Sequence, residues 1–188
     1  MKIIIIEGTD NIGKDTIISK ILEDYSVATV IHCSSPKSKD PILAAKEQDR
    51  LFNNQVLNVI TNKYNSDAII FNRSFIGEYV YGILYRNRNN IETLVMINKL
   101  EDLLNTYIDS KDLIYIQLLS SSTKLMQKND DNKSLSEGDV EYMEQEISLF
   151  KEIFYNSNIE NKHLIFVNHG DEFRDLNEII KEVKECIQ

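Results

Sequence analysis

The chain has 188 residues, 42% of them apolar, which suits one domain able to bury a sizeable core. Thirty acidic against 21 basic residues give a net charge of −9, the wrong sign for a partner such as long nucleic acid, although a local basic pocket could still hold one small anion. Cys33 and Cys186 lie far apart without metal-ligand spacing and read as reduced thiols, so a cytoplasmic protein with no membrane partner is expected.

The first element, at 3–6, is four isoleucines in a row after Lys2, too short for a signal-peptide core or a bilayer span. Further apolar runs follow at 27–31, 68–71, 113–119 and 164–167. Each is short and lacks alternation, the pattern of strands buried on both faces of a parallel sheet. Segments with helical spacing lie between them, at 15–24, 41–64, 75–88, 91–106, 139–156 and 173–187. Strands alternating with helices predict a three-layer α/β/α domain spanning residues 1–188 around a five-stranded parallel sheet. The polar segment at about 120–138 reads as a mobile loop within that domain. In such a sheet, ligands bind beyond the carboxyl ends of the strands, so the segments after 7, 33, 72 and 118 are where chemistry is to be sought.

The first of these is Gly8-Thr9-Asp10-Asn11-Ile12-Gly13-Lys14, followed by Asp15 and Thr16. It fits the phosphate-cradling pattern G-x-x-x-x-G-K in its proper strand-loop-helix setting, so Gly8, Asn11, Ile12, Gly13, Lys14, Asp15 and Thr16 are predicted to hold the phosphates of ATP. The usual hydroxyl after the lysine is replaced by Asp15. Its carboxylate could serve Mg²⁺, directly or through water, or it could simply cap the first helical turn; Thr16 supplies a hydroxyl if the helix starts in a shifted register.

After the third strand comes "NRSFIGEYVYG", residues 72–82. Together with "EGTDNIGKDT" and the polar loop after the fourth strand, in that order and at those separations, it resembles the thymidylate kinase family of nucleoside monophosphate kinases, and is most similar to its divergent phage-type members. The resemblance implies a P-loop fold with a lid at about 120–138, and transfer of the ATP γ-phosphoryl group to dTMP or a related deoxynucleotide with Mg²⁺. It also implies the host cytoplasm as location if phage-encoded, and a possible homodimer. By position it places Arg73 on the acceptor phosphate, so that Lys14 and Arg73 carry catalysis. Asp10 falls on the deoxyribose 3′-hydroxyl, Phe52 against the acceptor base, and Tyr81 against the 2′ position. Asp15 or Thr16, with Asn72, would organise the metal.

The chain also departs from that pattern elsewhere. Asn72 stands for an aspartate, Val56 for an arginine near the base, and Asn11 for an arginine found in one branch. The lid carries Lys124, Lys128 and Lys133 with no arginine, leaving those lysines, or Arg86 and Arg88, to answer the charge on the moving phosphoryl group. Two other readings therefore stand beside the kinase: a nucleotide-binding protein that turns over weakly or not at all, and a P-loop kinase acting on a modified nucleotide. His32, His163 and His169 read as structural or exposed, and Arg174 as a candidate neighbour of the donor adenine.

Overall fold

Ile3 and Ile5 point to one face of the sheet and Ile4 and Ile6 to the other, and all four are fully buried. Successive side chains of a strand alternate between faces, so a strand covered by helices on both sides has no use for a polar position. At about 2 kcal/mol per buried isoleucine, this strand is a large share of what holds the sheet together.

The computed structural model describes residues 1–128, 135–136 and 138–188. In chain order they form β1 (Lys2–Gly8), α1 (Lys14–Leu22), β2 (Ala28–His32), α2 (Pro41–Ile60), β3 (Ala68–Asn72), α3 (Glu78–Arg86), α4 (Asn90–Tyr107), β4 (Leu113–Leu119), α5 (Thr123–Lys128), α6 (Val140–Asn156), β5 (Lys162–Phe166), β6 (Asn168–His169), β7 (Glu172–Phe173) and α7 (Leu176–Ile187). The main sheet has five parallel strands in the order β2-β3-β1-β4-β5. In it Ile3 pairs with Ile69 of β3 on one side and with Leu113 of β4 on the other.

One core layer joins Ile3, Ile5, Ile69 and Phe71 to α2, α3, α4 and α6, and the other joins Ile4, Ile6, Ile70 and Ile114 to α1 and α7. This is the expected three-layer α/β/α arrangement. The outer strands differ from the expectation of full burial: β2 and β5 each have a single buried residue, because an edge strand has a neighbour on one side only. Two small features are also new relative to the sequence reading. The segment after β4 contains α5, and a two-stranded antiparallel hairpin, β6-β7, precedes α7. No described helix is long and apolar enough to cross a membrane.

The topology opens a crevice. β1 and β3 are neighbours, yet the chain leaves β1 towards α1 on one face and leaves β3 towards α3 on the other. The loops at their carboxyl ends therefore diverge, and the space between them is where a ligand fits in such a sheet.

Candidate active site

The loop from Gly8 to Lys14 is shaped by backbone that ordinary residues avoid. Gly13 adopts φ +84 as the N-cap of α1, and a Cβ on Gly8 would lie 2.3 Å from the Leu118 carbonyl oxygen on β4. Asn11 is also left-handed, at φ +60, as asparagine tolerates. The helices α2, α4, α6 and α7 start with a side-chain cap from Asp40, Asn89, Asp139 and Asp175, whereas α3 has none and neither has α1. Its first-turn amides are thus left for a ligand, at the positive end of the helix dipole.

Lys14 is 7% exposed, and its Nζ donates to the carbonyl oxygen of Gly8 at 3.0 Å and to that of Thr9. Burial lowers its pKa from 10.5 to about 8, against the pull of Glu7, Asp15 and Glu146. Across the crevice Arg73 ends β3 with a left-handed backbone, φ +65, while its amide still bonds to the Ile6 carbonyl at 3.1 Å and so extends the β1-β3 ladder. Its guanidinium pairs with Asp10 and lies over the Tyr81 ring, 4.9 Å from the centroid. Asp10 is therefore brought to Arg73 itself.

Asn72 is buried, and its Nδ2 donates to Asp15 Oδ1 at 2.6 Å and stands 3.3 Å from His32 Nδ1. Asp15 rather than Thr16 is the residue bonded to Asn72; Thr16 lies one position further round the helix and is exposed. A carboxylate and an amide meeting beside the phosphate loop are oxygen donors of the kind a hydrated Mg²⁺ accepts, so the residues fit that ion. Among the described residues, no group of three or more His, Cys, Asp or Glu gathers as a protein-only metal cage.

Phe52, 1% exposed, lines a pocket with Arg73, Tyr81, Gln48, Arg86 and Leu135. Open space in it is about 50 Å³, room for a few waters, so a ligand the size of an aromatic ring would fit only if the rim yielded. The Tyr81 hydroxyl is buried without a hydrogen-bond partner. Its ring packs edge-on against Phe150, with centroids 5.8 Å apart, and burial pushes the hydroxyl's pKa up.

Two acids in the site went unassigned from sequence. Glu7 is fully buried at the end of β1, where its Oε1 accepts from Ser74 N, from Ser74 Oγ at 2.8 Å and from Gly77 N at 3.2 Å. It thereby fastens the strand that carries the phosphate loop to the turn that carries Arg73. Its Oε2 is buried without a partner, and burial raises its pKa despite the Ser74 bonds and the charges of Arg73 and Lys14. Glu146 is 1% exposed on α6 and accepts from the Tyr85 hydroxyl; burial raises its pKa too, while Arg73 and Lys14 oppose the shift. Both left a trace in the sequence. Glu7 ends a wholly apolar run, and Glu146 shares helical spacing with Met143, Ile147 and Phe150.

The other arginines beside the crevice are paired with acids. Arg86 forks onto Glu78, and Arg88 bridges Glu78 at 3.1 Å and Asp49 at 2.8 Å, both on the Phe52 side of the crevice. Lys124 pairs with Asp171 of the β6-β7 turn, Lys128 ends α5, and Lys133 lies outside the described residues, as does much of the expected lid. Arg174 is bonded to the Phe166 carbonyl and to Glu182.

No family model matches the chain, and no curated protein matches it in sequence. Solved structures do match it in shape. The YorR protein of Bacillus subtilis, in complex with phosphorylated GDP, superposes with a TM-score of 0.66 at 17% identity, over 99% of this chain and 95% of that one. Thymidylate kinase from Candida albicans gives 0.63 at 15% identity over 99% and 90%. Deoxyadenosine kinase from M. mycoides, with dCMP and dCDP bound, gives 0.54 at 18% identity over 97% of each chain. The chain thus has the fold of the P-loop kinases.

Proposed function

We propose that the chain is an ATP-dependent kinase that transfers the γ-phosphoryl group to a deoxynucleoside monophosphate, dTMP or a close relative. The observation that carries this reading is the crevice itself: Lys14 and an uncapped helix start on one side, Arg73 with the Phe52–Tyr81 pocket on the other. The structural likeness to thymidylate kinase and deoxyadenosine kinase supports it.

In this reading the loop amides and Lys14 hold the donor phosphates. Arg73, exchanged from Asp10 to the ligand, holds the acceptor phosphate in its planar fork. Asp10 then accepts from the 3′-hydroxyl, Phe52 offers a flat face to the base, and Tyr81 crowds the 2′ position. Asp15 and Asn72 would hold Mg²⁺, with Thr16 beside them. When bound, the ion neutralises charge on the phosphate oxygens. The acceptor phosphate oxygen attacks the γ-phosphorus, and the bond to the β-phosphate oxygen breaks, releasing ADP. Glu7 fixes the spacing of the two halves and does not touch the reacting atoms.

A second reading is favoured by the pairing of Arg73 with Asp10 and by the unpartnered Glu7 Oε2: an uncharged acceptor, the hydroxyl of a nucleoside. ADP release measured across a panel of deoxynucleosides and their monophosphates separates the two. Turnover of dTMP that is lost in Lys14→Ala, with the fold retained by circular dichroism, supports the first; turnover of nucleosides alone replaces it with the second. No turnover of any acceptor by a protein that binds ATP leaves a binding protein.

A further inference from the structure

Gln48 and Phe52 sit one turn apart on α2, so the amide and the ring share a face of that helix. Both are buried, at 2% and 1% exposure, and both line the pocket that holds Arg73 and Tyr81. The orientation of the Gln48 amide is fixed by chemistry. Its Nε2 donates to the Ser34 carbonyl at 2.9 Å, and a carbonyl can only accept, so the amide cannot be reversed without setting oxygen against oxygen. The atom left over is Oε1, which is buried and has no partner. An acceptor kept in that condition is costly unless something arrives to satisfy it, and the nearby Val56 has nothing polar to give. The Tyr81 hydroxyl is a second unpartnered polar atom in the same pocket.

We infer that Gln48 is a specificity-determining residue: its Oε1 accepts a hydrogen bond from an N–H on the base stacked against Phe52, so among pyrimidine nucleotides the pocket selects one whose base carries such a donor. This rests on the reading of the pocket as the acceptor site. Two donors share the chemistry, the imide N3–H of thymine or uracil and the exocyclic amine of cytosine. Phe52 alone would tolerate any flat ring, whereas a buried oxygen with a fixed direction rejects a ring that leaves it unpaired.

The test is equilibrium binding by calorimetry to the full chain, with dTMP, dUMP and dCMP each compared with a blocked analogue, N3-methyl for the first two and N4,N4-dimethyl for the third. We expect wild type to bind its preferred nucleotide about tenfold or more tightly than the blocked form. In Gln48→Met, which keeps the length of the side chain, that preference should fall to less than about threefold. Rejection by bulk alone would survive in Gln48→Met and would overturn the inference, as would equal binding of free and blocked forms by wild type. Where Gln48→Met fails to fold, Gln48→Leu, which also removes the acceptor, takes its place, and a preference that survives there overturns the inference in the same way. Preference for dTMP or dUMP supports the inference with the imide as donor, and preference for dCMP supports it with the amine. Selective binding without turnover leaves the inference standing while removing the kinase reading, and absence of binding by every nucleotide overturns both.

Discussion

Lys14 gives the sharpest quantitative test of the phosphate loop. Burial holds its pKa at about 8, so without ligand the ammonium is roughly nine-tenths formed at pH 7 and roughly one-tenth formed at pH 9. ATP needs the charged form, and polyphosphate beside the lysine keeps it charged at both values. Bound and free protein therefore differ in protonation increasingly as the pH rises from about 7 through 8. Working through the linkage, the apparent Kd for a non-hydrolysable ATP analogue should rise about tenfold between pH 7 and pH 9, equivalent to about 1.4 kcal/mol, with close to one proton taken up per ligand at the upper value. Calorimetry in two buffers of different ionisation enthalpy reads both quantities. Lys14→Met should bind more weakly at pH 7 and show neither the slope nor the uptake. A flat affinity profile in wild type, or the same slope in Lys14→Met, would refute the placement of this lysine at the phosphates.

Three further outcomes follow from the site. Asn72→Asp sets a second carboxylate against Asp15, so its melting temperature should fall below that of wild type without divalent ions and recover with Mg²⁺, with turnover retained or improved; a melting temperature indifferent to Mg²⁺ would remove the metal from this position. Tyr81→Leu keeps an apolar contact to Phe150 but opens the space of the ring, and the ratio of kcat/KM for dTMP over UMP should drop; an unchanged ratio in a folded variant would mean that Tyr81 does not guard the 2′ position. Gly8→Ala would press a methyl into the Leu118 carbonyl, at a cost of about 3 kcal/mol or a fall of about 6–12 °C in Tm by scanning calorimetry, and a shift under about 2 °C would contradict the close approach of β1 and β4.

The sheet was legible because its strands are covered on both faces, and four isoleucines in a row have no other comfortable place in a short segment. The edges of the sheet were less so, since β2 and β5 mix half-buried positions with buried ones. α5 and the β6-β7 hairpin were too short to show a period. In the site, the glycines and lysine of the loop announced themselves by spacing. Arg73 was found by its place at a strand end, but neither its left-handed backbone nor its pairing with Asp10 could be read, because the first lacks the glycine that usually marks it and the second joins residues 63 positions apart. Gln48 illustrates the same limit. On a helix face that also carries Ala44, Phe52 and Val56 it stood out as polar, yet only the Ser34 carbonyl reveals which end of its amide is free.

The counter-charges around Lys14 and Arg73 have a consequence for what the crevice will hold. Asp10 answers Arg73, and Glu7 and Glu146 favour Lys14, so the vacant cations are not a bare electropositive trap. An incoming anion must win an exchange against carboxylates already in place, and a small, singly charged ion gains little by it. A polyphosphate with several oxygens can outcompete them at the lysine and at the uncapped amides of α1 together. Under the proposed function, the acids would act as tenants that yield only to a guest of high charge, so that a protein of strongly negative net charge would pass over simple anions and still receive a nucleotide.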